Sequence, residues 1–283
     1  MSTLKLNIPD KHVGYMDPDG KRVGVFLNLK EEDYFAVKAF SWSYSKEFAK
    51  SPAHGQAYLS KEFKIDPERQ FFKAVHCLTL EDRPDDIVVV DGTWSAKVKT
   101  DVIEPLLKQG KLVVKQADYD DAKNVAAGLK ANPKVTDLLN RSESEVSIFW
   151  TDPSSGVYCK ARIDLLGAYN EDYVIGDLKS FGDLHAEKLI GWQVIDKFYH
   201  HQMAFYSMAV QHIFGKFPKY HRWIFCEGKP PFAHKVRTCP ENLLNTGWQE
   251  MNKMLERYKA CQEFGTWPAF EDTELELELP EKK

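Results

Sequence analysis

Long apolar runs are missing from this sequence. No stretch approaches the ~20 residues that span a bilayer, so a membrane-spanning protein is not expected. Met1 to Asp10 shows no basic segment followed by an apolar core, so no signal peptide is expected and a cytoplasmic location is. Cysteine is sparse and dispersed: Cys77, Cys159, Cys226, Cys239 and Cys261 form no CxxC pair. That spacing argues against a disulfide framework and against a four-cysteine zinc or iron–sulfur site. An excess of positive charge is missing too. The net charge is −4, where a nucleic-acid binder often carries the opposite sign. The acid is uneven, however. The run EDTELELEL (271–279) holds a dense share of it and reads as a solvated tail. A cation site would also need carboxylates, whose charge the bound metal offsets.

The 283 residues suffice for one large domain or two small ones. The expected division is an N-terminal extension at 1–35, a main domain at 36–270 and the acidic tail at 271–283. Within the extension, Asp17-Pro18-Asp19-Gly20 marks a turn before a strand-like run from Val23 to Leu29. Ser43 or Ser45 is expected to cap a helix ending near Lys50, and Pro52 to open the next. Glu68 to Leu80 reads as one buried helix with Phe71, Phe72, Val75 and Leu78 inward. Ile87 to Val90 reads as a strand, Tyr119 to Leu129 as an amphipathic helix, and Pro133 as the start of another turn or helix. From Glu145 the period shortens. Val146–Trp150, Val157–Ala168 and Tyr173–Leu178 read as strands, broken by Asp152-Pro153-Ser154-Ser155-Gly156 and Asn170-Glu171-Asp172. A long helix (Phe198–Phe214), a strand (Trp223–Cys226) and a closing helix (Leu243–Phe264) follow. Strands carried between helices predict an α/β (α+β) fold with a central mixed sheet flanked by helices.

The chemistry concentrates in YCKARIDLLGAYNEDYVIGDLK (158–179). If its two runs form a hairpin turning at Asn170-Glu171, paired positions sum to 341 and Asp164 faces Asp177. Directly opposed Cβ atoms are ~5 Å apart. Lys179 shares the face of Asp177, and Arg162 lies opposite Lys179. Two carboxylates this close repel unless something positive sits between them. A hard divalent cation with oxygen ligands satisfies them, and magnesium is the usual one at phosphate sites. Lys179 can then orient or deprotonate a water, with a pKa lowered if the site is dry, or stabilise transition-state charge. The plain alternative is charge pairing within a sheet, Asp177 with Arg162 or Asp164 with Lys179. Burial of the charges in an apolar strand favours the functional reading.

Other candidates are open at this level. His76 on an apolar helix is by itself more often a core histidine than a ligand. Gln202 and Tyr206 share a helix face by their i, i+4 spacing and would otherwise be ordinary packing. Glu145 either approaches the metal from a neighbouring strand or is a surface residue. Ser43-Tyr44-Ser45-Lys46 contains S-x-x-K without the accompanying motifs of acyl transfer. His200-His201 and Cys226…Cys239 lack a coherent zinc spacing.

RIDLLGAYNEDYVIGDLK (162–179) resembles motifs II and III of PD-(D/E)xK nucleases. Its flanks resemble the RecE-type (exodeoxyribonuclease VIII-like) family of phage and prophage recombination. LKEEDYFAVKAFSWSYSKEFAKSPAHGQAYL, FFKAVHCLTLE, SEVSIFW and HHQMAFY stand in the order of that family's blocks, and the likeness runs from Leu29 to Trp267. The resemblance implies a metal set of His76, Asp164, Asp177 and the Leu178 carbonyl, with Mg2+ bound and Mn2+ able to substitute. It implies Lys179 as catalytic lysine and Gln202 and Tyr206 as a Q-x-x-x-Y pair supporting the site; Glu145 stands beside them as a site-supporting candidate on the strand reading alone. It implies digestion of linear double-stranded DNA from the 5′ end, a 3′ single strand passed to a single-strand annealing protein, and a ring-like homo-oligomer around the duplex. Lys160, Arg162 and Lys188 are candidates for the DNA-binding lining. The rivals are an endonuclease on the same core and a catalytically silent DNA-binding module.

Overall fold

The computed structural model describes residue 6 and residues 8–60 and 69–270; the expected acidic tail lies outside the described residues. Turn and cap residues set the first third of the chain. Asp17 Oδ1 accepts from the Asp19 and Lys21 N–H groups (3.0 and 2.7 Å) and closes a hairpin of β1 (Tyr15–Met16) and β2 (Arg22–Phe26). After α1 (Glu31–Ala36), Ser41 caps α2 (Trp42–Lys50) by accepting from the Tyr44 N–H. Ser43 and Ser45, expected in that role, lie inside the first turn, where Ser45 Oγ donates to the Trp42 carbonyl. Ser51 caps α3 (Pro52–Leu59), with Pro52 at the first helical position, where a missing N–H costs nothing.

The helix expected over Glu68–Leu80 is described as α4 (Gln70–His76), which widens into a π-helical turn over Cys77–Glu81. Ala74 and Val75 are fully buried, while Phe71 and Phe72 are only half-buried at the rim of a cleft. A small parallel sheet follows, β3 (Ile87–Val89) beside β4 (Leu112–Val114), with the short α5 (Ala96–Val98) and α6 (Glu104–Lys108) between them. Then come α7 (Gln116–Ala131) and α8 (Pro133–Arg141), the latter capped by Asn132.

The central strands are β5 (Ser142–Thr151), β6 (Tyr158–Tyr169) and β7 (Asp172–Phe181). The chain continues through α9 (Glu187–Asp196), α10 (Tyr199–Phe214), β8 (Tyr220–Glu227), β9 (His234–Thr238) and α11 (Glu241–Phe264). The seven-stranded sheet has the order β1-β2-β5-β6-β7-β8-β9. It is mixed: β7 and β8 run parallel, joined through α9 and α10, while the other neighbours are antiparallel. The segment expected to stand outside the main domain is part of this sheet, since Gly24–Phe26 pair with Ser147–Phe149. That pairing spans more than a hundred residues, and no local sequence signal encodes it.

Helices cover both faces. Phe205 and Met203 of α10, Leu255 and Tyr258 of α11, and Tyr44 and Phe48 of α2 pack on one face. Val75 of α4, Val125 and Leu129 of α7, and Leu138 of α8 pack on the other. The centre of the sheet is therefore buried on both sides, which is why β6 and β7 read as near-continuous apolar runs. A Cβ at Gly176 would stand 2.7 Å from the Leu138 side chain, so a glycine there lets α8 close on β7. The result is the α/β (α+β) sandwich that the sequence predicts.

Candidate active site

β6 and β7 pair in the expected register, Tyr169 opposite Asp172 and Leu165 opposite Gly176. The next positions along are Asp164 and Asp177. On the other side, the pairs Ser144–Leu165 and Val146–Ile163 bracket Glu145 and Asp164. Glu145, Asp164 and Asp177 thus form one row across three adjacent strands. The ladder changes character at this row. Among the described pairs the β6–β7 register ends at Leu165–Gly176, and the Leu178 N–H donates to Asp164 Oδ2 (2.8 Å) in place of a backbone carbonyl. Glu145 sits at φ 52°, in the left-handed region, which costs a non-glycine residue about 1–2 kcal/mol.

His76 enters from the last turn of α4, where the helix widens. Its Nδ1 lies 3.6 Å from Glu145 Oε1, and its Nε2 lies 4.0 Å from Asp164 Oδ2 and 3.3 Å from the Leu178 carbonyl. One donor atom each from His76, Glu145 and Asp164 fall within 4.8 Å of one another. Asp177 is deeper and wholly buried. Lys179 Nζ is 2.6 Å from its Oδ2, close enough for an ion pair but without the alignment of a hydrogen bond, and Oδ1 has no hydrogen-bond partner among the described residues. An orphaned, buried carboxylate oxygen is costly and marks a place for a positive ligand.

The row splits in its electrostatics. Burial pushes Asp177 up to about 7; Lys179 opposes this shift and Asp164 adds to it. Burial also raises Asp164, against the pull of His76 and Lys179. Glu145 goes the other way. Burial favours its neutral form, yet His76 and Arg162 together hold it down at about 2. Burial disfavours the His76 cation, but Asp164 and Glu145 outweigh it and raise the pKa. Burial likewise disfavours the Lys179 ammonium, and Asp177 and Asp164 overcome it, so its pKa is raised. The sequence expectation of a lowered lysine pKa is thereby reversed. The expected pairings change as well, because Lys179 joins Asp177 and Arg162 Nε donates to Glu145 Oε2.

The site opens into a cleft of about 1260 Å³. Gln202 and Tyr206 line it, with Gln202 Nε2 donating to Tyr206 Oη (2.7 Å). Burial and the nearby Asp177 and Asp164 push the Tyr206 phenol far up, so it stays protonated. The expected DNA lining fares less well. Lys160 is buried and donates to the Tyr34 and Val37 carbonyls (2.9 and 2.7 Å), with burial lowering its pKa to about 8. Its ammonium props the α1 segment and is spent there. Arg162 reaches the cleft but is committed to Glu145 and the Leu29 carbonyl. Lys188 is exposed on α9 and is not among the described residues that line the cleft. The lining is cationic mainly through other residues. Among the described residues, nine further lysines and arginines line it beside Lys160 and Arg162, against six carboxylates, so its sign is positive although the chain is acidic. Lys46, Lys73, Lys108, Lys111 and Lys197 belong to this set, and sequence reasoning passed over them. It also missed Trp42 and Tyr199, whose rings lie 5.7 and 5.2 Å from Lys179 Nζ. The block holding Trp42 and Lys46 was legible as a motif, but nothing local shows that its helix faces the site.

A histidine, three carboxylates and a backbone carbonyl, with a lysine ion-paired to the deepest acid, fit a divalent cation with mainly oxygen ligands. The sheet and this site together have the layout of a PD-(D/E)xK core. The chain belongs to the family described as the PDDEXK-like domain of unknown function (DUF3799), whose profile matches residues 41–275. Among solved structures, a candidate exonuclease from Eubacterium rectale aligns with a TM-score of 0.57 at 17% identity, over 83% of this chain and 88% of that one. That likeness concerns the fold. The protein SSO0001 aligns with a TM-score of 0.28 at 13% identity, over 75% of this chain and 83% of that one, and carries no argument. No curated protein sequence matches. Among the described residues no helix is long and apolar enough to cross a membrane.

Proposed function

We propose that the protein is a divalent-metal-dependent exodeoxyribonuclease of the RecE type, hydrolysing linear double-stranded DNA from the 5′ end. The observation that carries this reading is the wholly buried Asp177, one oxygen orphaned and the other paired with Lys179, beneath the Asp164, Leu178 and Lys179 lining of a net-cationic cleft. Binding alone calls for basic residues, not for buried carboxylates, which speaks against a silent DNA-binding module.

His76, Asp164, Asp177 and the Leu178 carbonyl would hold Mg2+, or Mn2+ in its place, with Glu145 in reach. The cation supplies Lewis acidity at the scissile phosphate. Lys179 keeps its proton, so its part is to hold a water or phosphate oxygen by donation and to stabilise charge that grows in the transition state. Arg162 fixes Glu145, and the Gln202–Tyr206 pair forms a neutral wall. The basic lining supplies the attraction for phosphates that the whole chain lacks. The exonuclease reading also draws on the RecE-like order of blocks and on the Eubacterium rectale neighbour. On this reading the product is a 3′ single strand for an annealing partner, and a ring of subunits is loaded at a free end.

Linear and covalently closed duplex DNA, each with Mg2+ or with chelator, provide the test. Progressive loss of linear DNA with Mg2+, and survival of closed circles, is the expected result. Rapid cutting of circles would favour the endonuclease rival. Binding without cleavage under any metal would leave the silent module.

A further inference from the structure

A second cluster of metal-binding side chains lies between α10 and α11. His200 and His201 open α10, and Glu250 stands on α11. One donor atom from each falls within 4.8 Å of the others. His201 Nε2 contacts Glu250 Oε2, and His200 Nε2 points at the same oxygen from 3.8 Å. The two rings meet edge-on with centroids 4.3 Å apart. The placement is built into the packing. A Cβ at Gly247 would stand 2.6 Å from the His200 carbonyl, so glycine lets α11 approach α10 here and brings Glu250, one turn on, over the histidines.

A plain histidine–glutamate hydrogen bond accounts for His201 but not for His200. That ring is almost wholly buried, yet Nε2 is too far from Glu250 for a hydrogen bond. Its Nδ1 makes no hydrogen bond of normal geometry among the described residues, although the Val194 carbonyl lies near. A buried imidazole with both nitrogens poorly served is a group lacking a partner. Among the described ion pairs Glu250 has only the two histidines, even though Lys253 and Arg257 of the same helix line the adjoining surface pocket.

We propose that His200, His201 and Glu250 form a second metal site, distinct from the cleft, that takes a borderline divalent cation of the zinc class. Two imidazoles and one carboxylate are a nitrogen-rich set suited to Zn2+ rather than Mg2+. Zinc holds such ligands at about 2.0–2.2 Å, so His201 and Glu250 would part to admit it while His200 draws in on the same oxygen. Glu250 is half-exposed, with its side chain 44% accessible, which leaves water as the remaining ligand. The site is structural. It ties the first turn of α10 to α11 at a point where Phe198, at φ 55°, bends the chain into the helix and packs against His201. Gln202 and Tyr199 project from that same turn into the cleft, so the metal would fix part of the cleft wall.

The test uses the full chain with the cleft disabled by His76→Ala and Asp164→Asn, titrated with Zn2+ against a chromogenic chelator. One Zn2+ should bind, millimolar Mg2+ should not displace it, and adding Glu250→Gln or His201→Gln should weaken it at least tenfold. Zn2+ should raise the melting temperature of the cleft-disabled protein and lose that effect once Glu250→Gln is added. Glu250 is half-exposed, so this variant carries the test if His201→Gln fails to fold. Absence of Zn2+ binding, or equal binding with and without Glu250→Gln, overturns the site. Neither outcome bears on DNA cleavage, so the two readings stand or fall separately.

Discussion

Two clusters among the described residues gather three or more histidine and carboxylate groups, and they are built differently. In the cleft, one histidine meets a row of three acids drawn from adjacent strands, with Lys179 and Arg162 as counter-charges. Between the helices, two histidines meet one half-exposed glutamate. The cleft therefore stores charge that the helix cluster does not. Within the row the storage is unequal, because Glu145 has Arg162 and His76 beside it and sits at about 2, whereas Asp177 is driven up to about 7 by burial. A fold gains nothing in stability from burying Asp177 with an orphaned oxygen. Such an arrangement is retained for what it binds, while the helix cluster can be retained for what it ties together.

Removing the deepest charge breaks this contrast most sharply. Asp177→Asn should lower DNA cleavage by about a thousandfold or more, because a carboxylate proposed to hold the cation is gone. The same change relieves a buried charge, so the metal-free variant should melt higher than the parent. Both are read from a nuclease assay and a thermal melt in chelator. Cleavage at the parent rate would sink the assignment of the row. Lys179→Ala comes next, with a loss of about 100- to 1000-fold in turnover, the range for removing one charge-stabilising donor. Its metal titration, followed by thermal shift, should still saturate. Unchanged turnover would make the lysine a structural partner of Asp177.

His76→Ala should act more mildly and only where metal is limiting. Loss of one ligand from a multidentate set should weaken metal affinity about 10- to 100-fold, in the range found when groups around a metal site are mutated. The cleavage rate should recover as metal is raised. Superimposable metal titrations for mutant and parent would return His76 to the core and leave the row without its nitrogen ligand.

What the sequence disclosed of this contrast follows the distance over which each feature is encoded. The Asp164–Asp177 opposition was legible because one short turn fixes the register of a hairpin. Pro52 and the run of β6 and β7 were legible for the same local reason. Glu145 could be named only as one of two readings, since its membership depends on the β5–β6 register and on a left-handed backbone that glutamate seldom adopts. The widening of α4 after His76 leaves no simple periodic signature. Lys160 was taken for a surface cation because lysines usually are, and only the tertiary fold supplies the two carbonyls that bury it. His200 and His201 showed no zinc spacing because their third partner is 49 residues away on another helix.

The smallest effect on cleavage is expected at Arg162, and it tests why Glu145 and Asp177 part company. Arg162→Gln should cost cleavage only about two- to fivefold, because the guanidinium holds a carboxylate and not the phosphate. Its larger signature is in pH. Glu145 has a folded-state pKa depressed from 4.5 to about 2. It therefore contributes stability that is fully present above pH 4.5 and is lost as the pH falls towards 2. Hydrogen bonding to His76 and the charge of Arg162 are the chief forces that lower it against burial. Without the guanidinium, burial gains ground and the folded-state pKa rises. The variant should be less stable than the parent at pH 7, and should lose less further stability between pH 5 and pH 3. Urea midpoints across that range measure both. Parallel curves for variant and parent would mean that His76 alone holds Glu145 ionised, and the row would then owe its asymmetry to the histidine.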